Sequence, residues 1–372
     1  MITLQIILVA LAAFVWLAIL IVPWQPWRNN LTLPIHPSAE PPVSLHDVTV
    51  VIPARNEALL IAQTLNGLGS QGESLHVILV DDNSTDETVE QANQVPGLDL
   101  RIITGQPLPP GWNGKVWALE QGVRQVLTPI TLMIDADIQL EPGILAALIA
   151  QKNRGFQLVS VMATLHMSSF WEKLLMPAFI YFFKMLYPFR LANSTNRRFA
   201  SAAGGCILME TSLFSQIGGL ETIKSAVIDD CALAARVKRG GFRTWTGQSR
   251  QVNSIRSYKG LKDIWDMVAR TAYTQLGYSP FLLALCTFGL LLLFFIPLWG
   301  LFSSDLIIRL LALTAWMGMV ASYLPTLIYY SLSPVWALLM PLAGGVYLGM
   351  TWSSALRYWR GERTRWKGRV YR

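Results

Sequence analysis

Charged side chains are scarce in this 372-residue sequence, where Asp, Glu, Lys and Arg make up 14%, against about 25% in an average soluble protein. The shortage falls on three segments without any charged residue, namely 1–27, 280–304 and 310–356. Residues 28–279 carry an ordinary mixture of charge, Gly and Pro. This distribution argues against a chain that is soluble throughout and predicts a polar domain framed by membrane segments.

The first uncharged segment is long enough to cross a bilayer, which takes about 20 apolar residues. A cleaved signal peptide is the alternative, but no basic region precedes the segment and no small-x-small cleavage site comes before Pro23. We therefore expect residues 1–27 to be a retained transmembrane helix. Arg28 is the first charged residue, and the positive-inside rule then places the following domain in the cytoplasm.

Cysteine and histidine are also rare. Cys206, Cys231 and Cys286 are far apart and odd in number, so we expect no disulfide, in keeping with a cytoplasmic domain. The four histidines lack the spacing of metal ligands. No G-x-x-x-x-G-K-[ST] run occurs, which argues against phosphoryl or nucleotidyl transfer on a phosphate-binding loop.

The last part of the sequence combines hydrophobic stretches with a basic tail. Residues 281–302, 306–330 and 334–354, within the region 280–356, each have the length of a membrane span. Residues 357–372 hold seven Lys or Arg against one Glu, which favours contact with anionic lipid headgroups over nucleic acid. Three spans would place this tail outside the cell, whereas its charge favours the inside. A re-entrant segment near 334–345 would resolve the conflict, and the sequence leaves both topologies open.

The middle of the chain alternates strand and helix patterns after a proline-containing linker at 28–45. We predict strands at 48–52, 76–80, 100–103, 130–134 and 158–162, and helices at 57–68, 85–95 and 142–151, with a further helix that follows Asp230 and continues to Lys238. Continuous apolar strands that alternate with helices predict an α/β domain over 46–279, with a mostly parallel sheet covered on both faces. Ligands of such sheets bind beyond the carboxyl ends of the strands.

Two segments mix aromatic and apolar residues with a few charges, 168–190 and 260–279. This composition is too charged for a membrane span and predicts amphipathic helices in the membrane interface. A buried core helix is the alternative for residues 168–190.

Polar residues follow three of the predicted strands. The first strand runs into Pro53, Arg55, Asn56 and Glu57, the second into Asp81 and Asp82, and the fourth into Asp135 and Asp137. A loop or a helix cap explains any one of these segments. All three at the same edge of a parallel sheet indicate a ligand site.

Asp135 and Asp137 have the spacing of a metal pair. Carboxylates two residues apart at an extended strand end can bracket Mg²⁺ or Mn²⁺, and substrate phosphates often complete such sites. Lys115 could reach a phosphate as a point charge. Asp81 and Asp82 would accept hydrogen bonds from a sugar hydroxyl or a nucleobase.

Two further features each have two explanations. Asp229 and Asp230 precede a predicted helix, either as an acidic pair favoured by the helix dipole or as a general base with its neighbour. In the second case the adjacent carboxylate raises the proton affinity of the base. Gly204 and Gly205 indicate either a close approach of the backbone to a ligand or a tight turn.

In this order, the segments resemble a processive-type family 2 glycosyltransferase. The resemblance covers residues 46–279 and rests on Asn56-Glu57, Asp81-Asp82, Gly114-Lys115, Asp135-x-Asp137, Gly204-Gly205 and Asp229-Asp230. Segments 110–115, 270–275 and 366–369 are similar to the hopene-associated glycosyltransferases. More distantly, the chain resembles ceramide and carotenoid glycosyltransferases.

The resemblance implies a GT-A fold, a UDP-sugar donor, inversion at the anomeric carbon, a lipid acceptor and a bacterial inner-membrane location. It implies Asp230 as catalytic base, Asp135 and Asp137 as ligands of Mg²⁺ or Mn²⁺, and Gly204 and Gly205 on the acceptor side. It assigns nucleotide-sugar binding to Pro53, Arg55, Glu57, Asp81, Asp82, Lys115, Asp135, Asp229 and Arg270.

One departure from the family concerns its Gln/Arg-x-x-Arg-Trp motif, which Arg270 alone matches, with Met267 and Thr271 at the other places. The missing Trp argues against polysaccharide synthesis and favours glycosylation of a lipid. The resemblance suggests a hopanoid, while another lipid and either UDP-glucose or UDP-N-acetylglucosamine stay open. A non-catalytic membrane scaffold is the alternative from another class, and the retained acidic residues argue against it.

Overall fold

The computed structural model describes residues 2–34, 45–362, 364–367 and 369–371. Helix α1 (Ile2–Ile21) precedes the middle domain. Most of the predicted linker, residues 35–44, lies outside the described residues.

The strands of the middle domain are β1 (Val48–Ala54), β2 (His76–Asp81), β3 (Asp99–Thr104), β4 (Ile130–Ile134), β5 (Ile138–Leu140), β6 (Leu158–Thr164), β7 (Cys206–Glu210) and β8 (Thr244–Ser254). Its helices are α2 (Ile61–Gly69), α3 (Thr88–Asn93), α4 (Gly114–Val123), α5 (Ile144–Asn153), α6 (Phe170–Leu186), α7 (Phe189–Ala192), α8 (Ser212–Gln216), α9 (Asp229–Arg239), α10 (Leu261–Ala269) and α11 (Ala272–Gln275).

The hydrophobic region contains α12 (Pro280–Leu290), a π-helical turn (Leu291–Phe295), α13 (Ile296–Gly300), α14 (Leu306–Tyr329), a 3-10 helix (Pro334–Leu339) and α15 (Met340–Trp359). A short hairpin of β9 (Thr364–Trp366) and β10 (Arg369–Tyr371) follows.

The eight strands β1 to β8 form one sheet in the order β3-β2-β1-β4-β7-β6-β8-β5. The pairs β1–β2, β2–β3, β1–β4 and β6–β8 are parallel, whereas β5 and β7 run antiparallel to their neighbours. The prediction of a mostly parallel sheet is therefore confirmed. Because β1, β2 and β4 are adjacent and parallel, their carboxyl ends reach the same edge of the sheet.

The predicted helix at 57–68 begins later than expected, at Ile61. Asn56 has a positive φ of 52°, and its backbone N–H donates to Ser84 Oγ at 3.0 Å. The Glu57 N–H donates to Thr88 Oγ1 at 2.8 Å. These bonds hold the segment after β1 as a turn against the loop after β2, so Glu57 lies outside the helix.

Four helical segments are long and apolar enough to cross a membrane, namely Ile2–Ile21, Pro280–Gly300, Leu306–Tyr329 and Pro334–Trp359. Helices α1 and α14 pack closely because Gly318 faces Trp16, where a Cβ would lie 3.0 Å from the Trp16 Cβ. A Cβ on Gly300 would meet Ala312 at 2.9 Å and Val9 at 3.3 Å. Small residues thus allow the close contact of these helices.

The last hydrophobic segment, Pro334–Trp359, begins and ends beside the middle domain. Just before it, Ser331 Oγ accepts a hydrogen bond from Arg250 Nη2 of β8 at 2.6 Å. Near its end, Ser354 Oγ accepts from the Tyr273 N–H at 3.0 Å, and Arg357 Nη2 lies 2.5 Å from Asp266 Oδ1. Both ends of this segment therefore contact the same polar domain.

Helix α6 lies between the middle domain and the hydrophobic helices. It begins with a capping box in which Ser169 and Glu172 bond each other's backbone N–H. Its Tyr181 hydroxyl lies 2.8 Å from Ser322 Oγ of α14, and Tyr347 of α15 donates to the Leu175 carbonyl at 2.8 Å. These contacts place residues 168–190 at the junction of the two regions.

Candidate functional site

The loops after β1 and β2 form one side of the site. Asp82 is fully buried, and its carbonyl accepts a hydrogen bond from the Arg55 guanidinium, which lies 3.7 Å from Asp82 Oδ2. Asp81 accepts from the Ser84 N–H at 3.1 Å. Pro53 is buried within β1 opposite Val80. The two loops therefore support each other through charge and backbone hydrogen bonds.

Lys115 lies in the first turn of α4, and its side chain reaches Asp135 just after the end of β4. Asn113 caps this helix by accepting from the Lys115 N–H at 3.0 Å. The Lys115 Nζ lies 2.7 Å from Asp135 Oδ1 and 3.6 Å from Asp229 Oδ2. Burial opposes the charge of Lys115, but the two carboxylates outweigh it and hold its pKa above the usual value.

Asp230 is held rigidly at the start of α9. Its Oδ2 accepts from the Gly204 N–H and its Oδ1 from the Cys231 N–H, both at 2.7 Å. Burial raises the pKa of Asp230 to about 7, and Asp229 adds to this rise while Lys115 opposes it. A carboxyl group with this pKa can accept a proton near neutral pH.

These groups line one pocket. Lys115, Asp135, Gly204, Asp229 and Asp230 surround its polar part, and its apolar part includes Leu119, Met133, Ile207 and Leu233. A Cβ on Gly204 would lie 3.2 Å from Asp230 Oδ2 and 3.4 Å from Lys115 Nζ. Glycine at this position therefore lets the backbone donate directly to the carboxylate.

Gly205 packs closely against Ile138 of β5. A Cβ at this position would lie 3.0 Å from Ile138 Cδ1. Its carbonyl accepts from the Asp135 N–H at 3.3 Å. Gly205 thus joins the beginning of β7 to the end of β4, next to Asp135.

A second cluster contains two cations that the sequence analysis did not select. Arg256 Nε lies 2.7 Å from Asp137 Oδ2, and Arg256 Nη2 lies 2.6 and 2.8 Å from the two Glu57 oxygens. Lys367 Nζ lies 2.6 Å from Glu57 Oε1. Arg256 comes just after β8, a strand that we did not predict. Had this strand been predicted, the position of Arg256 after its end would have marked it as a candidate site residue.

Arg270 lies at the end of α10, near Tyr258. Burial raises the pKa of Tyr258, Asp137 raises it further, and the charges of Arg256 and Arg270 oppose the rise. The charges of Arg270, Arg256 and Asp137 therefore all act on the Tyr258 hydroxyl.

Asp230 also neighbours the segment that follows α6. The Tyr187 hydroxyl, just after α6, donates to Gln275 Oε1 of α11 at 2.7 Å. Burial raises the pKa of Tyr187, and Cys231 and Asp230 contribute to the rise. Tyr187 is therefore near the catalytic candidate Asp230, a relationship that the sequence pattern does not show.

The residues at this site fit a divalent cation that takes its remaining ligands from the substrate. Within the described ranges, no group of three or more His, Cys, Asp or Glu side chains converges as a metal site. Asp135 and Asp137 are each paired with a cation, Lys115 and Arg256 respectively. Two carboxylates suit Mg²⁺ or Mn²⁺, which commonly take their remaining ligands from substrate phosphates and water.

Comparison with known proteins shows what the domain is similar to. Residues 49–218 match the family model described as glycosyl transferase family 2. The mannosyltransferase PcManGT from Pyrobaculum calidifontis, solved with GDP-Man and Mn²⁺, aligns with 95% of this chain and 100% of its own at a TM-score of 0.53 and 17% identity. This likeness, together with the sheet, confirms the GT-A fold.

Two relatives are similar in sequence over shorter regions. The 4,4'-diaponeurosporenoate glycosyltransferase of Staphylococcus haemolyticus is 32% identical over 93 residues, 25% of this chain and 24% of that protein. The undecaprenyl-phosphate 4-deoxy-4-formamido-L-arabinose transferase of Pectobacterium atrosepticum is 28% identical over 134 residues, 35% of this chain and 41% of that protein. The match thus spans less than half the length of either relative.

Proposed function

We propose that this protein transfers a sugar from a UDP-sugar to the hydroxyl group of a membrane lipid, with inversion at the anomeric carbon. The observation that carries the proposal is the position of Asp230. Its carboxylate is fixed by two backbone N–H groups in the same pocket as Lys115 and Asp135. A buried base beside cationic and metal-binding groups suits the attack of a hydroxyl on a sugar that leaves a diphosphate.

The donor binds at the shared edge of β1, β2 and β4 in this proposal. Arg55, Glu57, Asp81 and Asp82 lie on the nucleoside side, and Lys115 faces the diphosphate. Asp135 and Asp137 would hold a divalent ion, whose charge would stabilise the departing diphosphate. Lys115 adds a second positive charge at the same place, because its contact with Asp135 keeps it protonated.

Asp230 acts on the acceptor. The acceptor oxygen forms a bond to the anomeric carbon while the bond from that carbon to the diphosphate oxygen breaks. The hydroxyl proton passes to the Asp230 carboxylate. Gly204 orients this carboxylate through its N–H, so Asp230 does not need to reorganise during the step.

The surroundings of Asp230 favour a lipid acceptor. Tyr187, whose pKa the charge of Asp230 helps to raise, donates a hydrogen bond to Gln275, and both belong to the segments that join the polar domain to the hydrophobic helices. A lipid in the membrane could place its hydroxyl between them while its apolar part stays in the bilayer. The names of the two relatives also specify lipid-type acceptors. A hopanoid is the narrower proposal, supported by the sequence resemblance.

The contacts at the two ends of the segment Pro334–Trp359 support a particular topology, which we propose for the bacterial inner membrane. We place α1, the segment Pro280–Gly300 and α14 across the bilayer, with the middle domain in the cytoplasm. The segment Pro334–Trp359 is re-entrant in this topology because both of its ends contact the middle domain. The basic tail then lies on the cytoplasmic side, as its charge favours.

Lipid analysis and a base variant test the function. Extracts of cells with and without the gene should differ in a sugar-bearing lipid, which would identify the donor sugar and the acceptor. Purified wild type should release UDP from UDP-glucose or UDP-N-acetylglucosamine with that lipid, and Asp230→Asn should lose about 100-fold or more in rate. Asp47→Asn, at an exposed aspartate far from the pocket, is the matched control and should keep the rate. Equal UDP release by wild type and Asp230→Asn would overturn the assignment of the base.

A further inference from the structure

The turn of the β9–β10 hairpin contacts the segment that follows β1. Lys367 Nζ lies 2.6 Å from Glu57 Oε1 and 3.3 Å from the Asn56 carbonyl. In the opposite direction, Arg55 Nε donates to the Lys367 carbonyl at 3.3 Å. Three successive residues of the nucleoside-side loop thus contact one residue that is more than 300 positions away in the sequence.

Lys367 occupies the tip of the hairpin. Trp366 and Arg369 pair across the two strands, and Lys367 has a positive φ of 45°, which tight two-residue hairpin turns require. The turn therefore presents the Lys367 ammonium at the end of a paired structure. The Lys367 side chain is 24% exposed and that of Glu57 is 8% exposed, so the contact is largely covered.

From this geometry we infer that Lys367 is a positioning residue of the donor site, which the hairpin completes from outside the middle domain. This inference rests on the proposed function. Glu57 receives two cations, Arg256 and Lys367, and Arg256 also binds Asp137 of the metal pair. The position of Lys367 is thereby linked to Asp137 through three successive ion pairs, Lys367–Glu57, Glu57–Arg256 and Arg256–Asp137.

Charge balance explains what Lys367 contributes. Glu57 and Asp137 carry two negative charges, which Arg256 and Lys367 balance. Removal of the Lys367 charge leaves this cluster with an excess negative charge at the edge where an anionic nucleotide binds. This excess negative charge weakens the binding of the nucleotide.

An isolated surface ion pair is the simpler explanation, and such pairs stabilise proteins by about 0–1 kcal/mol. The low exposure of Glu57 and the additional contacts of Asn56 and Arg55 distinguish this contact from a surface pair. The two explanations give different results in nucleotide binding, because a surface pair has no effect on the donor site.

The test uses the full-length protein in detergent with UDP and with GDP, each with Mn²⁺. Lys367→Met removes the charge and keeps an unbranched side chain, whereas Lys367→Arg keeps the charge. Arg360→Met, at an exposed position just after α15, removes the same charge from the same tail as a matched control. Calorimetry gives the nucleotide affinity, donor and acceptor KM and kcat give the kinetic effect, and thermal unfolding shows that each variant is folded.

We expect Lys367→Met to bind the preferred nucleotide about tenfold more weakly and to raise the donor KM, with little change in the acceptor KM. Lys367→Arg should recover most of this affinity, and Arg360→Met should equal wild type. Equal nucleotide affinity in Lys367→Met and Arg360→Met would overturn the role of Lys367 and leave the proposed function intact. A wild-type protein that binds neither nucleotide would overturn both proposals.

Discussion

Arg256 joins Asp137 to Glu57 in a single bridge, with Nε 2.7 Å from Asp137 Oδ2 and Nη2 2.6 Å from Glu57 Oε1. Burial opposes the guanidinium charge, but Asp137 and Glu57 hold the pKa of Arg256 above its usual value. Arg256 is therefore a permanent cation beside the proposed metal pair. A divalent ion that binds Asp137 has to compete with it.

This competition predicts the metal affinity of Arg256→Met. Without nucleotide, the variant should bind Mn²⁺ about tenfold more tightly, because a hydrogen bond to a charged group stabilises by about 1.5–3 kcal/mol. Electron paramagnetic resonance of free Mn²⁺ measures the effect. Arg198→Met, at an exposed arginine, is the control and should bind Mn²⁺ as wild type does. Weaker Mn²⁺ binding by Arg256→Met would show that Arg256 assists the metal site.

The pH dependence of the rate follows from Asp230. Burial raises its pKa to about 7, and the reactive form is the carboxylate. The rate under saturating substrates should therefore rise with pH through a single ionisation near neutrality. A rate that is flat or falls between about pH 6 and pH 8 would contradict the role of Asp230 as base.

The raised pKa of Asp230 also makes the stability of the fold depend on pH. The folded state binds the Asp230 proton more tightly than the unfolded chain, so the stabilisation is complete at low pH and is lost as pH rises through about 7. Asp230→Asn should remove this part of the pH dependence. Thermal unfolding of both proteins between about pH 4 and pH 8 measures the difference, because the two states bind different numbers of protons between the unfolded and the folded pKa.

Gly204→Ala tests the orientation of the base. The added Cβ would lie 3.2 Å from Asp230 Oδ2 and 3.4 Å from Lys115 Nζ, so both groups must shift by a few tenths of an ångström. We expect kcat to fall about tenfold, because small displacements of catalytic groups are costly. Gly260→Ala is the control, since a Cβ there meets nothing within 4 Å. Equal kcat values for the two variants would contradict the role of Gly204.

Local patterns predicted a large part of the fold. Strand β4 has its predicted bounds, and β1, β2, β3 and β6 lie within one or two residues of prediction at each end. These strands are continuous apolar segments with polar residues at their ends, which is a local signal. The strands β5, β7 and β8 were not predicted, and β8 carries buried polar residues such as Thr246 and Gln248.

The site was predicted less completely because most of its ion pairs join distant parts of the chain. The sequence selected Lys115, Asp135, Asp229 and Asp230, and the structure brings these together in one pocket. It did not select Arg256, which lies 199 residues from its partner Glu57. Such a contact depends on where β8 pairs within the sheet, and no local sequence pattern contains that information.

The side of the membrane that holds the tail is a further prediction. Because Lys367 contacts Glu57, a reporter fused after residue 371 should lie on the same side as the middle domain. Fluorescent protein should be active at this position and alkaline phosphatase inactive. A fusion after Ser303, between α13 and α14, is the control and should give the opposite pattern. Active phosphatase at residue 371 would exclude the re-entrant topology.

Glu172 provides a test of the junction between domain and helices. Its buried carboxylate accepts from the N–H groups of Ser168, Ser169 and Tyr258. Burial opposes its charge, but these bonds hold its pKa at about 2. Its stabilising effect is therefore present above the usual pKa of a glutamate and is lost as pH falls towards 2.

Glu172→Gln should lower the free energy of unfolding by about 1.5–3 kcal/mol at neutral pH, as for hydrogen bonds to a charged group. Thermal unfolding in detergent measures this loss. Glu90→Gln, at an exposed glutamate of α3, should change the melting temperature little. A melting temperature of Glu172→Gln equal to that of Glu90→Gln would contradict the structural role.

The contact of Glu57 with Lys367 also sets an order of events during biosynthesis. Between these two residues lie the whole hydrophobic region and its return towards the polar domain. The pocket around Asp230 can form as soon as the middle domain has been translated. In the proposed topology, the loop after β1 acquires its contact with Lys367 only after the later helices have inserted and the segment Pro334–Trp359 has turned back towards the cytoplasm. Tight binding of the donor would then require complete membrane insertion, so a partly inserted chain would consume little nucleotide sugar.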